Sequence, residues 1–247
     1  MTKLVKHSIL LVAILCASAA FAGTFTFSTA PNATEGGGNA VDAQAIFTTG
    51  NGTLEITLNN LLVNPRTVAQ NISDLFFSLN NVRSGGSLTS SSGTERSVAA
   101  NGTFTDGSAV STGWDLSVAG GVFHLNDLNG VNHAKHTIIG APDASNVYSN
   151  ANSSIKNNGP HNPFLKSGVT FDLSIAGINA DTVVTSAIFS FGTTPGDNVP
   201  GGGNSTPDTG TTAMLLGASV VVCEIGRRAF ANQSRLAKVA EAFSRRG

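Results

Sequence analysis

His124, His133 and His136 fall within thirteen residues of one another, with Asp127 between the first two, Asp143 shortly after and His161 further on. A His-x-x-His spacing can bring two imidazoles to one ion, and a carboxylate such as Asp127 could complete a zinc or nickel site. That would make the chain a metal-dependent enzyme. The segment carrying the pair, Leu128–Ala141, is however a Gly/Asn-rich loop, without the helix that would hold two ligands on one face. Loop histidines are more often solvated polar residues, so the reading adopted is no metal and no cofactor, with these three histidines as the sole candidates.

No nucleophile accompanies them. The chain has no Gly-x-Ser-x-Gly elbow, no His-Glu-x-x-His pair and no Gly-rich phosphate loop followed by Lys-Ser/Thr. Calcium loops of the Asp-x-Asp-x-Asp type are absent, and the acids are scattered singly. Gly36-Gly37-Gly38 and Gly201-Gly202-Gly203 precede no helical pattern and read as flexible chain. The expectation is no enzymatic activity.

The elements around these residues follow from composition and pattern. Of 247 residues 12 % are charged and 40 % hydrophobic, which argues against a disordered chain. The 14 Lys and Arg nearly balance 15 Asp and Glu, and this excludes a nucleic-acid binder that works by neutralising phosphates. The balance is an average over unlike parts. Between Gly23 and Pro200 six bases face twelve acids, a net of −6, while Lys3 and Lys6 mark one end and Arg227, Arg228, Arg235, Lys238, Arg245 and Arg246 the other.

Residues 1–22 read as a secretory signal peptide. Lys3 and Lys6 precede the short apolar run Ile9–Cys16, and Ala20-Phe21-Ala22 forms an A-x-A cleavage site before Gly23. Cleavage removes Cys16, and the other cysteine, Cys223, lies in a second apolar segment, so no disulfide framework supports the exported part.

From 23 to 192 the pattern is strand, turn, strand. Thr24–Ser28, Thr53–Leu58, Phe171–Ile175 and Ala187–Phe191 alternate apolar and polar residues with period two. Leu75–Val82, Ser97–Thr105, Trp114–Val118 and Val122–Leu125 are less regular strand candidates. Asn-Gly at 51–52, 101–102 and 129–130, Asp-Gly at 106–107, and Gly-Gly at 85–86 and 120–121 supply turns. The predicted fold class is all-β, an antiparallel β-sandwich or jelly-roll-like ectodomain. The many Asn, Ser and Thr suit a secreted surface, and equally one that contacts polysaccharide. One Trp and one Tyr argue against an aromatic sugar platform, and the 14 Phe suit a core.

Residues 193–205, with Pro195, Gly196, Pro200 and three successive glycines, read as a Gly/Pro linker. The segment 206–247 combines a motif at 206–212, an apolar stretch at 211–230 and a basic tail at 227–247. The stretch is long enough for a single transmembrane helix if Arg227 and Arg228 snorkel to the interface as a membrane stop. Glu224 lies one turn before Arg228 and can pair with it. The arginines place this end on the cytoplasmic side. In the tail, Leu236, Val239, Ala240 and Phe243 share one helical face, the pattern of a basic amphipathic helix on an anionic leaflet.

The run Pro207-Asp208-Thr209-Gly210-Thr211-Thr212, followed by the apolar span and Arg227-Arg228, resembles the tripartite signal of PEP-CTERM sorting proteins, in its Val-Pro-Asp-Gly/Ser-Gly variants. Asn64-Pro65, Gly159–Phe164 and Phe189–Thr194 are similar to stretches in ectodomains of that family. The resemblance implies sorting at Pro207, Asp208, Thr209 and Gly210 by an exosortase-type membrane enzyme, and a setting of exopolysaccharide and biofilm. The chain departs from the pattern at Thr206, at Glu224 and in the length of its tail. Thr206-Pro207-Asp208-Thr209-Gly210 also resembles a sortase signal with its leading Leu replaced.

The functional expectation is a non-enzymatic surface or extracellular matrix protein, structural or adhesive. Its partners would be the secretion translocon, a signal peptidase acting at Ala20, Ala22 and Gly23, an exosortase-type enzyme and exopolysaccharide. It would be anchored in the envelope by its C-terminal helix or released outside the cell. A carbohydrate-binding module and a metal-dependent enzyme are the alternatives.

Overall fold

The computed structural model describes residues 23–131 and 134–206. The signal segment 1–22, His133, the sorting motif from Pro207 onward, the 211–230 span and the basic tail lie outside the described residues. Within them, no helix is long and apolar enough to cross a membrane. The regular structure is all strand apart from one 3-10 turn, Val68–Gln70, closed by a capping box between Thr67 and Gln70.

Thirteen strands form one hydrogen-bonded system. They are β1 (Thr24–Thr29), β2 (Ala43–Thr49), β3 (Thr53–Asn60), β4 (Ile72–Leu79), β5 (Ser87–Val98), β6 (Phe104–Val110), β7 (Asp115–Ala119), β8 (Val122–Asn126), β9 (Ile138–Ile139), β10 (Phe164–Lys166), β11 (Val169–Ser174), β12 (Val184–Phe191) and β13 (Asn198–Thr206). The order runs β12-β13-β1-β2-β3-β11-β5-β10-β9-β4, and β12 pairs in turn with β4, so the ladder closes into a ring. β8 and β7 extend it beyond β4, and β6 lies against β5. All long ladders are antiparallel, as alternation predicts. The short β9–β10 pair and the Val63–Ala141 bridge are parallel, which makes the sheet mixed.

The ring is flattened around a core. Period-two alternation turns Phe25 and Phe27 of β1, Ala43, Ala45 and Phe47 of β2, and Leu54, Ile56 and Leu58 of β3 to the same side. They meet Leu75, Phe77 and Leu79 of β4, Phe123 and Leu125 of β8, and Ala187, Phe189 and Phe191 of β12 in one buried cluster. Phe47 and Phe77, on strands that are not ladder neighbours, have ring centroids 5.4 Å apart, which shows two walls facing across the core. Each such phenylalanine removes on the order of 150–250 Å² from water, enough to hold a domain without disulfides. A second, smaller core gathers Val98, Ile139, Tyr148, Ile155 and Phe164 under the loop from Gly140 to Pro163.

Turn chemistry places several hairpins as expected. Gly120 and Gly121, at φ 60° and 85°, join β7 to β8 in the left-handed backbone that a two-residue hairpin requires. Asn51-Gly52 joins β2 to β3, and Asn101-Gly102 joins β5 to β6. Two expectations are corrected here. Asp106-Gly107 lies inside β6 rather than at a turn, and Ser97–Thr105 spans the β5–β6 turn instead of forming a strand.

The largest correction concerns the linker at 193–205. Residues Asn198–Thr206 form β13, paired along one edge with β1, from Thr24–Thr206 to Thr29–Gly201, and along the other with β12. Glycine serves room here rather than flexibility. A Cβ on Gly203 would lie 2.4 Å from the Phe27 ring, and one on Gly201 would lie 2.9 Å from Phe189, whereas at Gly202 the nearest atom is 3.9 Å away. Gly203→Val is therefore expected to destabilise the fold by about 1–3 kcal/mol, and Gly202→Ser by less than about 0.5 kcal/mol. Chemical denaturation of the two variants checks this, because a flexible linker would leave both silent.

Candidate functional site

The structure sends the histidines to different neighbours. His124, on β8, stacks its ring on Phe76 of β4 with centroids 3.8 Å apart, and its Nε2 lies 3.8 Å from Asp74 Oδ1. His136, before β9, has Nδ1 2.6 Å from the Thr112 carbonyl and Nε2 3.2 Å from Glu95 Oε1. The Thr112 carbonyl and the Glu95 carboxylate are both oxygen acceptors, so each ring nitrogen of His136 is turned toward a hydrogen-bonding oxygen. His161 Nδ1 lies 3.3 Å from the Ala134 carbonyl. Asp143 accepts from Ser145 and Val147 of its own loop, and Ser149 is hydrogen-bonded to it as well. Among the described residues no group of three His, Cys, Asp or Glu side chains is placed to hold a metal ion.

Two other polar constellations emerge, and neither was singled out from the chain order. The first lies over the second core. Arg96 of β5, its side chain 6 % exposed, holds Asp106 of β6 through Nε at 2.6 Å and Nη2 at 2.8 Å. Its Nη1 donates to the Tyr148 hydroxyl at 3.0 Å, and that hydroxyl donates to the Gly140 carbonyl at 2.7 Å. The guanidinium carbon sits 3.9 Å from the Phe104 ring centroid. Lys166 approaches Asp106 at 3.6 Å from the open side. Each of these side chains has a partner, so the network ties the loop to the strands.

The Arg96 hydrogen bonds hold the Asp106 carboxyl below its ordinary value. In acid the unfolded chain therefore takes up this proton first, and the stability contributed by the pair is lost as pH falls through the lower, folded value. Asp106→Asn should cost about 1.5–3 kcal/mol near neutral pH, the scale of a hydrogen bond to a charged group. It should also flatten the loss of stability below pH 4. Thermal unfolding at a series of pH values reads both effects.

The second constellation surrounds the start of β4. Asn71, Ser73, Asp74, Asp127 and Ser190 are each at most 2 % exposed. Asn71 Oδ1, Ser73 Oγ, Asp74 Oδ1, His124 Nε2, Asp127 Oδ1 and Oδ2, and Ser190 Oγ are buried without a hydrogen-bond partner. The ladder divides them between two sides of the strand. Asp74 stands opposite Asn126 of β8 and Ser190 of β12, on the side that carries Phe76 and His124. Asp127 donates its backbone N–H to the Ser73 carbonyl at 3.0 Å, which places it opposite Ser73 in continuation of the core-facing row Phe123 and Leu125.

Burial, and secondly the charge of Asp74, push the Asp127 carboxyl up to about 7. A carboxylate fully out of water with neither oxygen engaged is the most costly kind of buried polar group. Sequence reasoning found Asp127 only as a partner for histidines. Ser73 and Asp74 lie before the strand candidate that starts at Leu75, whereas β4 starts at Ile72, so the chain order gives them no place in the core. A polar pair that opens an otherwise apolar strand is the signal that was available.

Comparison with family models, with curated proteins and with solved structures finds no match for this chain. The different neighbours of His124, His136 and His161 predict that these three do not together hold a stoichiometric zinc or nickel ion. Elemental analysis checks this. An ion at one per chain that is lost in both His124→Ala and His136→Ala would restore the histidine site.

Proposed function

We propose that the chain is an exported, non-enzymatic β-sandwich protein of the cell surface or extracellular matrix. Its role is structural or adhesive, in a polysaccharide matrix. The signal-like segment at 1–22 brings it to the secretion translocon and a signal peptidase. The tail with Pro207, Asp208, Thr209 and Gly210, the 211–230 span and Arg227-Arg228 hands it to an exosortase-type enzyme, with a sortase as the alternative.

One observation carries the reading. Thr24 is paired with Thr206, so the residue after the Gly23 cleavage point and the residue just before Pro207 sit side by side. The two described ends therefore meet at one corner of a closed ladder, and cleavage before Gly23 or after Thr206 falls outside every described strand.

A carbohydrate-binding module is the second reading. The sole Trp and Tyr are buried, and no aromatic ring is exposed among the described residues, so sugar recognition would rest on amides and hydroxyls such as Thr89, Ser90 and Thr105. Binding to one glycan, tight and saturable, would favour that reading over a general matrix role.

Mass spectrometry of the native protein tests the export reading. The mature chain should begin near Gly23, and either retain its tail in the membrane fraction or end between Pro207 and Gly210. A soluble cytoplasmic species with intact Met1 would overturn it.

A further inference from the structure

We propose that the β4–β8 end of the core binds a divalent, oxygen-preferring cation of the calcium class, with Asp127 as its charged ligand and Ser73 and Asn71 beside it. The inference does not depend on the export reading. It rests on where the fold leaves polar atoms without partners.

All seven buried side-chain atoms without a hydrogen-bond partner among the described residues belong to six residues where β4 meets β8 and β12, on the two faces of the sheet. A fold that satisfies buried polar groups almost everywhere, and leaves them open at a single location, marks that location for something the chain itself does not supply. On the core-facing side the open atoms are both Asp127 oxygens, Ser73 Oγ and Asn71 Oδ1. All four are oxygens, the donor type that hard cations take.

The surroundings are built to hold them. The Asp127 backbone is bonded to Ser73, and its own carbonyl accepts from Gly130 N at 2.9 Å. The Asn71 amide nitrogen donates to Thr137 Oγ1 at 3.2 Å, which leaves its oxygen as the available atom. The Asn71 carbonyl is taken by Gly192 N at 2.9 Å. Asp74 points to the opposite face of β4, and its charge still acts on Asp127. A divalent ion would compensate the charge of Asp127, whereas a water molecule would not.

The arrangement contains fewer than three carboxylate or imidazole ligands, so it differs from an acidic loop. Affinity is set by ligand charge count and rigidity, and one direct carboxylate with a second nearby places it in the weak range of extracellular modules, a Kd of about 0.1–1 mM.

The test uses the full-length protein, stripped with chelator and followed by thermal unfolding with calcium chloride or magnesium chloride added. Calcium at a hundredfold excess over its Kd should raise the midpoint by roughly 5–10 °C. Asp127→Asn should remove the response, Ser73→Ala should weaken it, and Gly202→Ser should leave it whole. Equilibrium dialysis of the unaltered protein against calcium alone should find one ion per chain, and it stands whether or not the Asp127 variant folds. Overturning results are no bound calcium at about 10 mM, or a response that Asp127→Asn retains.

Discussion

Between β12 and β1 lies a gap one strand wide, and β13 fills it with backbone hydrogen bonds along both edges. Each unpaired amide or carbonyl there would otherwise have to find water at the margin of the core. The rest of the architecture depends on this pairing. It completes the ring, it brings Val199 against the main core, and it sets Phe27 and Phe189 over bare glycine backbone. Among the described residues only β6 and β7 pair with a single strand, and closure gives every other strand at least two partners, which limits the edge open to another chain. β7 is only five residues long, and β6 is irregular where it meets β5.

The two ends of the molecule treat polarity in opposite ways. Around Arg96, Asp106 and Tyr148 charge is buried beside an aromatic ring, and each donor finds an acceptor, so the network fixes one geometry of the 140–163 loop. At the start of β4 the polar atoms are as deeply buried but left open. Unsatisfied carboxylates at the end of a phenylalanine core work against stability, so this place is tuned to something other than maximal packing.

The extent to which the fold is legible in the chain follows the physical signal each strand carries. β1, β3, β11 and the second half of β12 alternate large apolar residues with polar ones, and they lie where alternation puts them. β2 buries Ala43 and Ala45, whose side chains are too small to announce a core face. β5, Ser-Leu-Thr-Ser-Ser-Ser through Arg-Ser-Val, is a strand because its neighbours β11, β10 and β6 need a partner, and little in its own composition requires it. β13 is opaque for a further reason: the glycines that suggest a linker are what let the strand approach Phe27. The open site was hidden by separation. Asp127 stands next to two histidines along the chain, yet in space it faces a serine from a different strand.

A ring whose first strand is sealed by its last has a consequence in time. A polypeptide emerges N-terminus first, and domains fold as units once their contacts are available. Here β1 and β12 keep open edges until residue 206 is free of the machinery that makes or moves it. A nascent chain must therefore spend that interval unfinished, with strands of Phe-rich, β-prone sequence able to pair with a neighbouring copy. Contacts so distant along the chain also slow the final step. Such a seam makes the last strand to emerge the one that completes the ring.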